Sequence, residues 1–404
     1  MKKKYILLSF TQAISQLGSY FTNFAITWII IDKSNSSIIV ASYLSYSTFL
    51  YSLFALIGGK ILDIFPRKKI IIISDLIGFI CLFFLTLYEK FQTPPFYVYF
   101  IITFFTNLSG TILMLGTQTI LGDFGDNKET AKAQASFETT KRTFMIISPL
   151  LAGVLLKIFE RWQIFAFDSI TYLISMFGSI AFIPNINFKN NKTESKLINW
   201  IIPKIEWNST LIKIVISAIL INLIYIPLFL IWPVVTKLFN KGSEFMGLIS
   251  TMFSIGSIMG GLWIIKMKNI NVYKQVSSSM LIISLGYLIL FLSLINPYFL
   301  LFPALVLGLG FGSISGPIMS IIHSNIPCEN KGQFFGWLGF IGQIGQPLVI
   351  LLSGFISQKL GIWYLFFLLV LASFFVYGIT TKINNDTNLK VEKYRNALDH
   401  NFCP

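Results

Sequence analysis

The stretch Gly59-Lys60-Ile61-Leu62-Asp63-Ile64-Phe65-Pro66-Arg67-Lys68-Lys69 sets one acid and three adjacent bases between two apolar runs, residues 38–58 and 70–88. Each run is long enough to cross a bilayer, since about 20 helical residues span the hydrocarbon core. Charges gathered at such a boundary position the flanking helices or fix their orientation in the membrane.

Outward from this loop the same alternation continues. The 404 residues are 54% hydrophobic and 12% charged, and Phe alone supplies 40. A soluble domain would carry about 25% charge. Twelve apolar spans can be drawn, at 5–31, 38–61, 70–89, 96–119, 138–158, 162–184, 210–236, 243–265, 274–295, 298–322, 333–357 and 361–380. Backbone groups in lipid must pair within their own segment, so these spans read as helices. Glu160 and Arg161 mark a turn between the fifth and sixth, and Asn296-Pro297 and Gln358–Gly361 mark the tightest connections. Pro227 and Pro233 are expected to bend the seventh.

The formal net charge of +14 would suggest nucleic acid in a soluble protein. Here it distributes by side. With the N-terminus inside, only seven of the 31 Lys and Arg fall outside: Lys33, Lys90, Lys157, Arg161, Lys237, Lys241 and Lys359. The positive-inside rule then places both termini in the cytoplasm of a cell-membrane protein, and no nucleic-acid partner is expected. Cys81, Cys328 and Cys403 lack paired spacing and read as free thiols. Lys2–Lys4 before an apolar run imitate a signal peptide. Gln12, Gln16 and Asn23 interrupt that run and no small-residue cleavage site follows a short core, so it reads as a retained first helix.

Residues 185–208 lack a strong apolar run and carry Lys189, Lys192, Lys196 and Lys204. They read as a cytoplasmic linker between six-helix bundles at 1–184 and 209–381, followed by a cytoplasmic tail at 382–404. Gly58-Gly59 and Gly260-Gly261 close the second and eighth spans, and Pro149 and Pro347 sit in the fifth and eleventh. Related halves around a central site are a recurring transporter plan; chance pairing of Gly and Pro is the other reading. The second half has no Asp after its Gly pair, only Lys266 and Lys268.

The opening loop resembles the signature loop of the major facilitator superfamily, G-x-x-x-D-R-x-G-R-R/K. Gly59, Asp63, Arg67 and Lys68 fall on that pattern, while Ile64 and Pro66 depart from it. Ser148-Pro149-Leu-Leu-Ala152-Gly153 resembles the superfamily's antiporter motif G-P-x-x-G-G. Three further segments resemble its macrolide-efflux branch: Ser15–Ala25, Phe165–Leu173, and Asn325–Gly336 with Gln333 in place of an Arg. The resemblance implies an all-α membrane protein of twelve transmembrane helices in two pseudo-symmetric six-helix bundles. It implies a conformational latch in which Asp63 meets the N-terminus of the eleventh helix near Lys331–Phe335 in one of two states. It associates the Pro149 motif with efflux. The alternatives are positive-inside anchoring for Arg67–Lys69 and small-residue packing for Ser148–Gly153.

Two acids fall inside spans, Asp75 and Asp168. Intramembrane acids are costly and mark either a basic partner or an ion path. Asp75 can pair with Arg67 or Lys68, and Asp168 with Arg161; otherwise each is a candidate for proton coupling. The branch pattern carries an acid where Ser19 stands, and the fourth helix has Gln118 rather than the Arg of many proton-coupled exporters. Both departures bear on coupling. In this fold the first, fourth, seventh and tenth helices face a central cavity, which makes Gln16, Asn23, Trp28, Asn107, Gln118, Asn222, Tyr225 and Trp232 candidates to line it. Lipid-facing or core packing is the other reading for each aromatic. Gly308, Gly310, Gly312 and Gly316 make the tenth helix slim, for packing or for gating.

No enzyme is indicated. Ser315 and His323 lie about 12 Å apart on one helix, too far for a hydrogen bond. The chain has no G-x-x-x-x-G-K-S/T loop and no metal-ligand spacing, so neither cofactor nor metal is expected. The residues are expected to form a monomeric secondary exporter in the lipid bilayer. It would act on a hydrophobic or amphipathic small molecule, an antibiotic, drug or secreted metabolite, with protons as coupling ion. Nutrient uptake, facilitated diffusion and a non-transporting receptor are the alternatives.

Overall fold

A computed structural model describes residues 2–122, 127–183, 209–267, 271–293, 295–324, 338 and 342–399. Every described element is helical. The helices are α1 (Lys2–Ser34), α2 (Ser37–Ile64), α3 (Arg67–Phe91), α4 (Phe96–Gly122), α5 (Asn127–Ile158), α6 (Arg161–Phe182), α7 (Ser209–Tyr225), α8 (Leu228–Leu238), α9 (Ser243–Lys266), α10 (Val272–Leu292), α11 (Leu301–Ser324), α12 (Gln346–Lys359) and α13 (Ile362–Asp399). Among the described residues, nine spans are long and apolar enough to cross a membrane. At the remaining three expected positions lie α1, α5 and α12, the last described over the second half of the expected 333–357.

The connections follow from local chemistry. Asn35 takes a positive φ of 49°, and the Ser36 side chain then accepts from Ile39 N at 3.4 Å to start α2. Pro66 stands before α3, where its missing N–H costs nothing. Glu160 N donates to Gln163 Oε1 at 2.9 Å and opens α6, as the Glu160–Arg161 turn requires. Gly361 has φ +95°, a left-handed turn that favours glycine between α12 and α13.

Three expectations about length change. The seventh span is two helices, because Ile226-Pro227 interrupts the ladder between α7 and α8; Pro233 is accommodated inside α8. α5 begins at Asn127, eleven residues before its expected start. α13 runs on to Asp399, well past residue 380, as one continuous helix of 38 residues.

By packing, the chain divides into two compact units, Met1–Lys196 with Phe229–Thr251, and Leu197–Leu228 with Met252–Pro404. The division differs from that at 185–208 by Phe229–Thr251, which packs with the first unit. The reason is backbone contact between α5 and α9. A Cβ on Gly153 would stand 2.7 Å from the Ser243 carbonyl oxygen and 3.1 Å from Gly247 Cα. Only small residues allow that approach.

In the second unit, four glycines let α9 and α11 interlock. Cβ atoms on Gly256 and Gly260 would overlap the carbonyls of Leu305 and Leu309, and those on Gly308 and Gly312 would overlap the carbonyls of Phe253 and Ser257. Gly310 faces Ile283 of α10 instead, and Gly316 faces open space. Slimness at 308, 310 and 312 therefore serves packing in this conformation. Both units turn large apolar side chains outward, among them Phe84, Phe177, Leu348 and Phe375, each more than 60% exposed. In water such a surface would aggregate; against acyl chains it is the stable arrangement.

Candidate functional site

The first unit encloses a cavity of about 350 Å³ lined by α1, α2, α4, α5 and α6. Gln16, Asn23 and Asn107, expected in a central cavity faced by helices of both halves, line this one, whose residues all belong to the first unit. Asp168 joins them on the same wall, with Ser19, Thr22, Tyr20, Tyr51 and Lys141. Trp28 and Gln118 are not among the lining residues. Asn107 is oriented by Ser47, to which its Nδ2 donates at 3.1 Å.

Asp168 is 1% exposed. Thr22 of α1 donates to its Oδ2 at 2.5 Å, and Thr171, one turn further along α6, donates to Oδ1 at 3.0 Å. Gly18 makes room for this group, since a Cβ there would overlap the carboxyl and the Thr171 hydroxyl. Arg161 does not pair with Asp168; it reaches Asp32 at 3.3 Å, and Lys237 reaches the other Asp32 oxygen at 2.8 Å. Among the described residues, Asp168 is thus served by neutral hydroxyls alone, an expensive placement for a permanently ionised group.

Asp75, fully buried, is also without the basic partner expected of it. Ser175 donates to its Oδ2 at 3.0 Å, while Oδ1 has no hydrogen-bond partner. Lys68 instead donates to the Ile180 and Ile183 carbonyls, at 3.1 and 2.6 Å. It caps the C-terminal end of α6, where a cation also complements the helix dipole. Of the other signature-loop residues, a Cβ on Gly59 would meet nothing within 4 Å. Arg67 opens α3. The Asp63 side chain lies outside the described residues, as does the whole of Lys331–Phe335. The Asn325–Gly336 resemblance and the 185–208 linker likewise lie outside them.

In the antiporter-like segment, Ser148 and Ala152 are buried, and Ser148 donates to the Met145 carbonyl at 3.2 Å. The Pro149 carbonyl and Gly153 Cα face Gly247, and Ser243 donates to the Gly153 carbonyl at 3.1 Å. Lys157 and Glu244 pair at 3.0 Å beyond the crossing.

The second unit holds its own cavity of about 290 Å³, lined by Asn222, Tyr225, Phe253, Ser257, Phe311 and neighbouring aliphatic residues. Tyr225, Phe253 and Phe311 form a mutual ring cluster with centroids 5.0–6.2 Å apart. Trp232 is buried on α8 and lines neither cavity. Sequence reading missed Lys141, Tyr51, Phe253 and Phe311. For Lys141 a signal existed, a base following a long polar helical start on α5. The aromatics carried none, because Phe is everywhere in this chain.

The chain can now be set beside known proteins. The Major Facilitator Superfamily profile matches residues 8–350. Macrolide efflux protein A of Streptococcus pyogenes is 21% identical over 379 residues, covering 90% of this chain and 92% of that protein. The uncharacterized MFS-type transporter YfmI of Bacillus subtilis (strain 168) is 25% identical over 287 residues, covering 66% of this chain and 68% of its own length. Among solved structures, a mutant of the nucleoside transporter NupG superposes with a TM-score of 0.72 at 13% identity, covering 95% of this chain and 99% of that one. A bacterial homolog of the human lysosomal transporter Spinster, in an inward-facing and occupied conformation, gives 0.72 at 12% identity, covering 94% and 96%. At such identities the structures speak for the fold alone. With helices at all twelve expected positions and the profile spanning most of its length, this chain belongs to the Major Facilitator Superfamily.

Proposed function

We propose that this protein is a secondary active exporter of a hydrophobic or amphipathic compound, driven by proton entry and working by alternating access between two six-helix halves. Both termini face the cytoplasm in this reading, which puts Asp32, Arg161 and Lys237 outside. The observation that carries it is Asp168 in the wall of the first unit's cavity, served by Thr22 and Thr171 and, among the described residues, by no cation. A carboxyl placed so exchanges a proton with the cavity rather than holding a structural ion pair. Gln16, Asn23, Asn107, Tyr20 and Tyr51 would hold the polar face of a substrate, and apolar neighbours such as Met114 and Met145 its apolar face. The likeness to macrolide efflux proteins supports the direction, as does the Pro149 segment.

The test is accumulation of a labelled macrolide and a panel of amphipathic dyes in cells with and without the protein, before and after the proton gradient is collapsed. The expected result is lowered accumulation that disappears with the gradient, and that disappears equally in Asp168→Asn. Full gradient-dependent efflux by Asp168→Asn would remove Asp168 from coupling. Unchanged accumulation across the panel would move the reading to import or to a narrower metabolite.

A further inference from the structure

Among the described residues, Asp75 and Asp168 are the only acids in the buried interior, and they lie along one polar strip. α6 presents Asp168, Thr171, Tyr172, Ser175 and Ser179 at i, i+3, i+4, i+7 and i+11, which keeps them on one face. Asp168 and Ser175 are about 10 Å apart along the helix axis, and Ser175 holds Asp75 of α3.

Tyr172 sits between the two acids. Its ring lies against Gly78, three residues past Asp75, where a Cβ would collide with it. Its hydroxyl shares a hydrogen bond with Ser19 of α1 at 3.1 Å, and Ser19 lines the cavity that Asp168 borders. Ser109 of α4 donates at 2.5 Å to the carbonyl of Ser74, the residue before Asp75. Beyond Asp75 the strip continues through Ser179 to Gln12 at 2.8 Å and Thr117 at 3.4 Å.

The partners around the strip are neutral. α1 contributes Gln12, Ser19 and Thr22, and α4 contributes Ser109 and Thr117. Among the described residues, the charged and titratable groups that face it are Asp75 from α3, Asp168 and Tyr172 from α6, and, lining the cavity, Tyr20 of α1, Tyr51 of α2 and Lys141 of α5. Lys68 is occupied by the last carbonyls of α6. The unserved Oδ1 of Asp75 is costly on a carboxylate and much cheaper on a neutral carboxyl.

We infer that Asp168 and Asp75 are the cavity-side and inner stations of one buried proton path, with the Tyr172 hydroxyl as the movable link between them. The inference rests on the proton-driven reading above. The proton leaves the Asp168 carboxyl, the Tyr172 oxygen accepts it while releasing its own, and an Asp75 carboxylate oxygen takes up the released one. Asp168 ends ionised and Asp75 neutral, and Tyr172 is regenerated. No hydrogen bond joins Tyr172 to either acid in this conformation, its hydroxyl being held by Ser19 and the Asp168 oxygens by Thr22 and Thr171, so both transfers need a side-chain rotation. That makes the link a switch rather than a leak.

The test uses the full-length protein in lipid vesicles, with Asp75→Asn, Asp168→Asn and Tyr172→Phe. The phenylalanine keeps the ring on Gly78 and removes only the hydroxyl. Infrared difference spectra in light and heavy water read the protonated-carboxyl bands without any substrate. Two bands are expected, one lost in each Asn variant, with deuterium exchange at the Asp75 band slowed about a hundredfold in Tyr172→Phe, the scale of losing a positioned proton-transfer group. In a parallel transport assay with labelled macrolide, Asp75→Asn and Tyr172→Phe should lose gradient-driven efflux and retain exchange at equal pH. An Asp75 band that is absent, that follows sodium rather than pH, or that exchanges at the wild-type rate in Tyr172→Phe would overturn the path. A wild-type protein that moves no macrolide would count against the exporter reading, and the infrared result would still decide the path.

Discussion

The crossing of α5 over α9 should respond sharply to a single methyl group. Gly153→Ala places a Cβ 2.7 Å from the Ser243 carbonyl oxygen, whereas ordinary contact begins at 3.4 Å. The obstacle is backbone, so no side chain can turn aside. The helices must part by the difference, about 0.7 Å, which stretches the 3.1 Å Ser243–Gly153 hydrogen bond past its useful range. Losing that bond costs about 1 kcal/mol, and the overpacking about 1–3 kcal/mol. Together they raise the conformation that contains this contact by about 2–4 kcal/mol, a bias of about thirtyfold to roughly a thousandfold. In the proposed cycle the contact closes the outer side, so the variant should favour outward opening. The assay replaces Cys81, Cys328 and Cys403 by Ser, places a cysteine at Asn23 in the cavity wall, and follows its labelling by an impermeant maleimide added from outside. Gly153→Ala should raise that rate at least tenfold. Gly247→Ala should act alike, since its Cβ would stand 2.5 Å from the Pro149 carbonyl oxygen. Unchanged labelling in a folded, membrane-inserted protein would refute the reasoning: the crossing would then be equally present in every state.

Two other substitutions separate packing from switching. Lys68→Met should uncap α6 and lower stability by about 1.5–3 kcal/mol, the range for hydrogen bonds made by a charged group. Thermal unfolding of the purified protein reads this, and Lys68→Arg should recover part of it; an unchanged midpoint would return Lys68 to a purely topological role. Gly308→Val should abolish folding of the second unit, because its Cβ would overlap the Phe253 carbonyl and α9 has no side chain there to yield. Loss of the monodisperse protein in detergent is the expected sign, and a stable, transport-competent Gly308→Val would show that α9 and α11 separate readily.

What the sequence made legible was whatever depends on one segment at a time. Apolar runs of about 20 residues have few alternatives in lipid, so helix positions followed directly. Pro227 was recognisable as a disturbance, although only the three-dimensional fold reveals that it ends α7 outright. Asp75 and Asp168 stood out because an acid in an apolar run is costly wherever it points. Their partners were not legible. Nothing local joins Thr22 to Asp168 across 146 residues, or Lys68 to the Ile183 carbonyl across 115. For the same reason the basic neighbours proposed from sequence proximity were the wrong ones: Arg161 is taken by Asp32, and Lys68 by α6. Aromatic cavity candidates fared unevenly. Tyr225 sits in a ring cluster, while Trp28 and Trp232 line neither cavity, since abundance of aromatics erases their information.

The ion pairs at the ends of the first unit that the proposed topology puts outside are individually weak, and that would suit a reversible gate in the proposed cycle. Asp32 is about a third exposed and holds two bases, and Lys157–Glu244 is more exposed still. Exposed pairs of this kind contribute about 0.2–1 kcal/mol each. The three pairs and the Ser243 hydrogen bond thus come to a few kcal/mol. One proton moving through 100 mV releases about 2.3 kcal/mol. A clamp made of buried ion pairs would exceed that supply several-fold when broken. The distribution of charge is therefore informative: ionic contacts stand where they can be broken at a cost within reach of one proton. The acids buried beneath them have only neutral partners, so their protonation can change without breaking a buried ion pair. In the proposed cycle, proton loading and clamp opening would in this way be separable steps of comparable size, as a gradient-driven alternation requires.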